Sequence, residues 1–189
     1  ATKNDEKTHD ELSSLKGDKD EINDRFYCEL KFGTGGLRGK LGAGTNRMNI
    51  YTVGRATRGL AAYINGTAPE NKSAVIAYDS RNMSREFAFL AADILSGAGI
   101  KTYVFNTLTP TPVLSFAVRY LKTAAGIVIT ASHNPKEYNG YKVYNEKGCQ
   151  ITDEAAKNIL SEIENCGYFD EIRSDKSIIE GLDESVLNE

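Results

Sequence analysis

Apolar residues recur along this chain in two rhythms that take turns. Spacings of three and four put Val53, Ala56, Leu60, Ala61 and Ile64 on one face of a helix that begins at Asn49 and ends at Asn65-Gly66. A second stripe, Phe87, Leu90, Ala91, Ile94 and Leu95, predicts a helix capped by Ser84 and stopped by Gly97 and Gly99. Pro110-Thr-Pro112 opens a third helix through Leu114, Val118 and Leu121, with proline where the missing donor does no harm. Thr152 caps a fourth through Ile159, Leu160 and Ile163, with Asp153 and Glu154 in its first turn and Gly167 past its end. Between the helices stand short apolar runs at 74–78, 101–105 and 126–130, each of strand length. Residues 141–144 predict one more strand, across a ten-residue loop centred on Asn139-Gly140; paired with 126–130 it would run antiparallel. The alternation implies an α/β fold, a three-layer α/β/α sandwich around a mixed, mostly parallel sheet.

The two ends lack this rhythm. Residues 1–30 predict an N-terminal extension, frayed over its first dozen residues. It leads into a helix from Asp18 or Asp20 to about Leu30, along Ile22, Phe26 and Leu30. Residues 31–167 make up the α/β domain. Residues 168–189 mix acids with isolated apolar positions and predict a connection toward a second domain, as in a piece of a longer protein. Six glycines between 33 and 45 exclude a regular helix there and allow a ligand close to the backbone.

Composition changes this picture little: 40% hydrophobic and 26% charged residues describe an ordinary globular chain. No apolar run approaches the roughly 18 residues of a membrane span, so no membrane partner is expected. Three cysteines without metal-ligand spacing fit a reduced, cytoplasmic setting better than a disulfide framework. Charge adds more. The net −3 hides two stretches without any acid: 30–69, with Lys31, Arg38, Lys40, Arg47, Arg55 and Arg58, and 94–136, with Lys101, Arg119, Lys122 and Lys136. In a weakly acidic protein that asymmetry suggests an anion site rather than a nucleic-acid surface, although an ordinary solvated face would look the same.

Three loops could use such an anion. Thr130-Ala-Ser-His-Asn-Pro135 follows an apolar strand, so Ser132 and His133 leave the sheet at a strand C-terminal end, the usual ligand edge of this fold class. Pro135 keeps Asn134 out of helical geometry. A 126–130/141–145 pairing brings Ser132 near Lys142, a hydroxyl beside a potential proton donor. A polar turn with a solvated lysine is the plainer alternative. A Ser-His-Asp hydrolase is disfavoured, because Ser132 sits in no Gly-x-Ser-x-Gly elbow and the one histidine besides the adjacent His133 is His9. Phe32-Gly-Thr-Gly-Gly-Leu-Arg-Gly39 offers backbone donors around Thr34 and one guanidinium, Arg38, or else a plain tight hairpin. In Asp79-Ser-Arg81, again after a strand, Arg81 either faces the site or, with Asp79, ties the loop together.

Together with Pro110-Thr-Pro112 and Asn139-Gly-Tyr-Lys142, these loops resemble the first domain of the α-D-phosphohexomutase superfamily, the phosphoglucomutases and phosphomannomutases. Asn46-Arg-Met-Asn-Ile-Tyr-Thr-Val53 is most similar to the long-chain, phosphoglucomutase-type branch. The resemblance runs from about Asp18 to Gly167 and implies interconversion of hexose 1-phosphate and hexose 6-phosphate through a phosphoserine and a bisphosphorylated sugar. It implies Ser132 as the phosphoryl carrier, Lys142 as general acid/base and His133 as its neighbour in the catalytic site. Arg38, Thr34, Arg81 and Asn134 would contact phosphate or substrate. It further implies Mg²⁺, liganded here only through the phosphoryl oxygen on Ser132, and a glucose 1,6-bisphosphate-type activator. The expected partners are the sugar phosphate and the remaining domains of the same chain. A phosphopentomutase, a phosphoglucosamine mutase or a non-catalytic sugar-phosphate-binding module on the same scaffold are the alternatives, and the 189 residues alone are expected to be inactive.

Overall fold

The structure is a computed structural model and describes residues 5–183. The chain opens with two short helices, α1 (Glu6–Ser14) and α2 (Lys19–Phe26), neither of which buries a residue. The main body then runs β1 (Leu37–Lys40), α3 (Ile50–Thr67), β2 (Ser73–Tyr78), α4 (Ser84–Gly97), β3 (Lys101–Phe105), α5 (Thr111–Tyr120), β4 (Ala125–Ile129), β5 (Tyr138–Asn145) and α6 (Asp153–Glu164). A single 3-10 turn, Lys176–Ile178, precedes β6 (Ile179–Leu182).

The six strands form one sheet in the order β1-β5-β4-β2-β3-β6. β4, β2, β3 and β6 pair parallel to one another, whereas β5 runs antiparallel to both β4 and β1. Alternation along the strands divides the core. Ile76, Ile127, Ile129, Tyr141 and Val143 join the larger cluster beneath α3, α4 and α6, and Val75, Ala77, Val128 and Tyr144 join the smaller one beneath α5. The expected three-layer sandwich is therefore present, with unequal outer layers. The α3 stripe from Val53 to Ile64 is at most 3% exposed. Gly59 lets α3 lie against α6, since a Cβ there would stand 2.3 Å from Ile163 Cγ1 and 2.7 Å from its backbone nitrogen.

Several boundaries depart from the sequence reading, each for a tertiary reason. The first dozen residues are not simply frayed. Asp5 accepts from the Thr8 amide (3.1 Å) to cap α1 and also from the Tyr51 hydroxyl (3.0 Å), which ties that cap to α3. The second helix stops at Phe26 rather than Leu30, because Ile22 and Phe26 find no core and stay 40% and 44% exposed. The Leu30 amide turns instead to the Thr45 carbonyl (2.9 Å). Ser84 does not cap α4. Met83 holds that position with φ +65°, and the Ser84 hydroxyl is used elsewhere. Asn139-Gly140 is no turn but lies within β5, opposite Gly39 and Arg38 of β1. Within 168–189, read from sequence as plain connection, residues 179–182 extend the sheet beside β3.

Candidate active site

The parallel strands deliver two loops to one edge of the sheet: 130–137 after β4 and 79–83 after β2. β1 and the turn before it lie on the far side of β5 from β4. Four residues make the tight turn, with Gly33 and Gly36 exchanging backbone bonds of 3.1 and 2.7 Å. Gly36 has φ +72°, and a Cβ on it would stand 1.9 Å from the Tyr141 carbonyl oxygen, so only glycine lets this turn rest on β5. The turn thereby brings Thr34, which is exposed, alongside the strand that carries Lys142.

Strand alternation aims Lys142 to the α5 side of the sheet, where Arg38, opposite Gly140 in register, also points. Ser132 stands exposed on its loop in the left-handed region (φ +55°), with its amide donating to Thr130 Oγ1 at 3.0 Å. Lys142 Nζ donates to Ser132 Oγ at 2.6 Å. Lys142 is only 9% exposed; burial depresses its pKa, Arg38 adds to the depression, and Asp79 works against it. A lysine held this way surrenders a proton more readily than one in water, and it stands within proton-transfer distance of the Ser132 oxygen.

The remaining expected site residues fall into two groups. Arg38, Thr34 and His133 are exposed, and among the described residues none of these three side chains makes a hydrogen bond or ion pair. Arg38 is therefore free to meet an anion. Arg81 is not. Its Nη1 donates to the carbonyls of Pro135 (2.9 Å) and Tyr138 (3.2 Å), and its Nη2 to those of Ser132 (2.8 Å) and Asn134 (2.6 Å). Its Nε faces Asp79 at 3.6 Å. Of the two readings of Arg81, these bonds match the one in which it ties the loop together, with carbonyls of the serine loop on its fork. Asn134 is engaged through its backbone, its amide bonding Ala131 O at 3.1 Å.

Sequence reasoning missed the scaffold behind these groups. Asn139, fully buried, donates to Asn82 O (2.9 Å) and Ser84 Oγ (3.0 Å), while its own side-chain oxygen accepts from the Gly140 amide (2.7 Å). Ser84 in turn donates to Asp79 at 2.7 Å. The Asn-Gly dipeptide is a turn signal in isolation; only its apolar flanks, Tyr138 and Tyr141, hint that it is buried. The charge pattern also reads differently in space. Arg55 bonds Glu29 (2.7 Å), Lys101 bonds Glu180 (3.2 Å) and Arg47 pairs with Asp24, so much of the acid-free stretch is neutralised away from the site.

No group of three or more His, Cys, Asp or Glu among the described residues could hold a metal ion. Asp79, the carboxylate that acts on Lys142, is already engaged with Arg81 and Ser84. No helix among the described residues is long and apolar enough to cross a membrane. A cavity of about 380 Å³ lined by Tyr63, Ala124, Tyr144 and Glu146 lies at the opposite end of β4 and β5 and takes no part in this arrangement.

Comparison with known proteins adds to the geometry. The profile of the family described as phosphoglucomutase/phosphomannomutase, alpha/beta/alpha domain I, matches residues 29–168. A phosphoglucomutase of Staphylococcus haemolyticus (strain JCSC1435) is 49% identical over 142 residues, covering 75% of this chain and 26% of that protein. One from Staphylococcus aureus (strain bovine RF122 / ET3-1) is 48% identical over 147 residues, covering 78% and 26%. Among solved structures, a Thermus thermophilus protein assigned as a phosphomannomutase superposes with a TM-score of 0.73 at 30% identity, covering 83% of this chain and 34% of that one. The chain spans about a quarter of the length of the curated relatives it matches.

Proposed function

The chain belongs to the phosphoglucomutase/phosphomannomutase family as its α/β/α domain I, and from that premise we propose that Ser132 is the phosphoryl carrier of a hexose-phosphate mutase. The observation that carries this reading is the Lys142 Nζ–Ser132 Oγ contact of 2.6 Å on an exposed loop, with the unpaired Arg38 beside it. A phosphoserine brings close to two negative charges at pH 7, and two cations on one face of β5 and β1 suit it. Phosphoryl transfer asks for alignment and charge stabilisation more than for a strong nucleophile.

In the donating half-reaction a bond forms between a sugar hydroxyl oxygen and phosphorus while the phosphorus–Oγ bond of Ser132 breaks. Lys142 supplies a proton to the departing Oγ and is left neutral, while the sugar hydroxyl releases its proton to solvent. The return half-reaction reverses these roles at the other phosphate of the sugar bisphosphate, and Lys142 takes the proton from Ser132. Its depressed pKa serves both directions. Arg38 holds phosphate oxygens bidentately, with Thr34 and the backbone of its turn as further donors and His133 next to the reacting centre.

The Mg²⁺ implied by the family supplies charge stabilisation to phosphoryl oxygens. The described residues hold no cluster of carboxylates, histidines or cysteines for it, and this domain would contribute a phosphoryl oxygen on Ser132. A glucose 1,6-bisphosphate-type activator would charge the serine. We place the protein in the cytoplasm, a setting suited to its three free cysteines. The 189 residues alone should show no turnover, because Ser132 faces open solvent and no metal cluster among the described residues accompanies it.

The test is conversion of glucose 1-phosphate or mannose 1-phosphate by the complete gene product, wild type against Ser132→Ala. Loss of at least about 1000-fold in turnover is expected when the residue forming the covalent intermediate is removed. Retention of wild-type turnover would show that Ser132 is not the carrier.

A further inference from the structure

One guanidinium, Arg81, receives the carbonyls of residues 132, 134, 135 and 138, the length of the serine loop from the reactive residue to the start of β5. Four carbonyl dipoles aimed at one point repel each other unless a cation stands there, and only a forked, permanently charged donor reaches all four. The same loop holds Ser132 at φ +55°, a conformation that residues with a Cβ seldom adopt unless their surroundings impose it. Arg81 Nη2 bonds the carbonyl of this same residue, at 2.8 Å. Asp79 orients the guanidinium from behind through its Nε and accepts from the Arg81 amide at 3.0 Å. The root of the loop is fixed separately, through Ser84 and the buried Asn139.

We propose that Arg81 is a positioning residue: it sets the left-handed turn at Ser132 and thereby the distance from Ser132 Oγ to Lys142 Nζ, without touching substrate. The proposal rests on the phosphoryl-carrier reading above and adds to it. With the fork intact, Oγ is delivered within hydrogen-bond reach of the lysine in every turnover. Without it the Ser132 carbonyl is free to rotate, φ relaxes toward negative values, and Oγ swings away from Lys142. Lysine at position 81 keeps the charge and satisfies at most part of the carbonyl set, so charge and fork are separable by one substitution.

The experiment compares wild type with Arg81→Lys in the complete gene product, measuring kcat and KM for a hexose 1-phosphate and amide hydrogen exchange across 131–138. The expected result is a kcat lowered about 10- to 100-fold, a KM within about twofold of wild type, and faster exchange at the amides of Ser132, Asn134 and Tyr138. Those amides bond Thr130 Oγ1, Ala131 O and Pro135 O in the closed loop. A KM raised more than kcat falls would make Arg81 a substrate ligand and overturn the proposal, as would unchanged kinetics. If Arg81→Lys fails to fold, the wild type decides: protection at these three amides is required, and their absence refutes the clamp. Failure of the underlying carrier reading has another signature, because wild type then gains no phosphate on Ser132 while the exchange comparison still reports on the loop.

Discussion

Replacing Asn139 by alanine removes an amide that is completely buried and makes three hydrogen bonds, to Asn82 O, Ser84 Oγ and the Gly140 amide. The Gly140 amide left behind is buried, whereas Asn82 is exposed and its carbonyl can turn to water. Ser84 keeps its bond to Asp79. One abandoned buried group costs about 1–3 kcal/mol, and the small cavity left by the side chain brings the loss to about 2–4 kcal/mol. With a urea slope of about 2 kcal/mol/M, the unfolding midpoint of the 189-residue chain should fall by roughly 1–2 M. The thermal midpoint should drop by about 10 °C on the same arithmetic. Asn139→Asp sharpens the test: it retains the acceptor for Gly140 but places a carboxylate oxygen against Asn82 O, so it should be as damaging as alanine at neutral pH. A midpoint shift below about 0.5 M for Asn139→Ala would refute the reasoning. It would mean that the loops after β2 and β4 are not joined through this side chain.

Two further outcomes follow from other parts of the structure. Gly36→Ala meets both a left-handed backbone and a carbonyl oxygen 1.9 Å from the new Cβ; a loss of about 3 kcal/mol or more in urea unfolding is expected, and a neutral result would place the 33–36 turn elsewhere. For Lys142 the sign is set by its depressed pKa: between the folded value and 10.5 the unfolded chain binds the extra proton, so stability rises with pH through that window. Urea unfolding of wild type against Lys142→Met should show this rise in wild type only, flattening above pH 10.5, and parallel pH profiles would contradict it.

Much of this architecture is legible in the sequence because local signals and tertiary packing agree there. The stripes of α3 and α6, the strand runs of β2, β3 and β4, and the spacing that joins Ser132 to Lys142 each follow from periodicity alone. What is illegible has a long-range cause. β1 is four residues, Leu-Arg-Gly-Lys, and is a strand because β5 offers it a ladder; β6, Ile-Glu-Gly-Leu, owes the same to β3. α1 owes its anchoring to Tyr51, 46 positions beyond Asp5. Charge asymmetry along the chain overstates the cationic field, because Arg47, Arg55 and Lys101 find carboxylates that are remote in sequence. Arg38 and Lys142 share one face of β1 and β5 beside Ser132. Arg81 is legible only as two alternatives, phosphate contact or loop tie, and the extent of the tie, four carbonyls between 132 and 138, comes from the fold of the loop.

As a carrier, Ser132 should both take and give a phosphoryl group. The most direct measurement incubates the complete gene product with glucose 1,6-bisphosphate, digests it with trypsin, and locates phosphate by tandem mass spectrometry in the peptide Thr123–Lys136. One phosphoryl group on Ser132, lost again on addition of hexose monophosphate and absent from Ser132→Ala, is the result expected. Phosphate on another residue, or equal labelling of Ser132→Ala, would contradict the account.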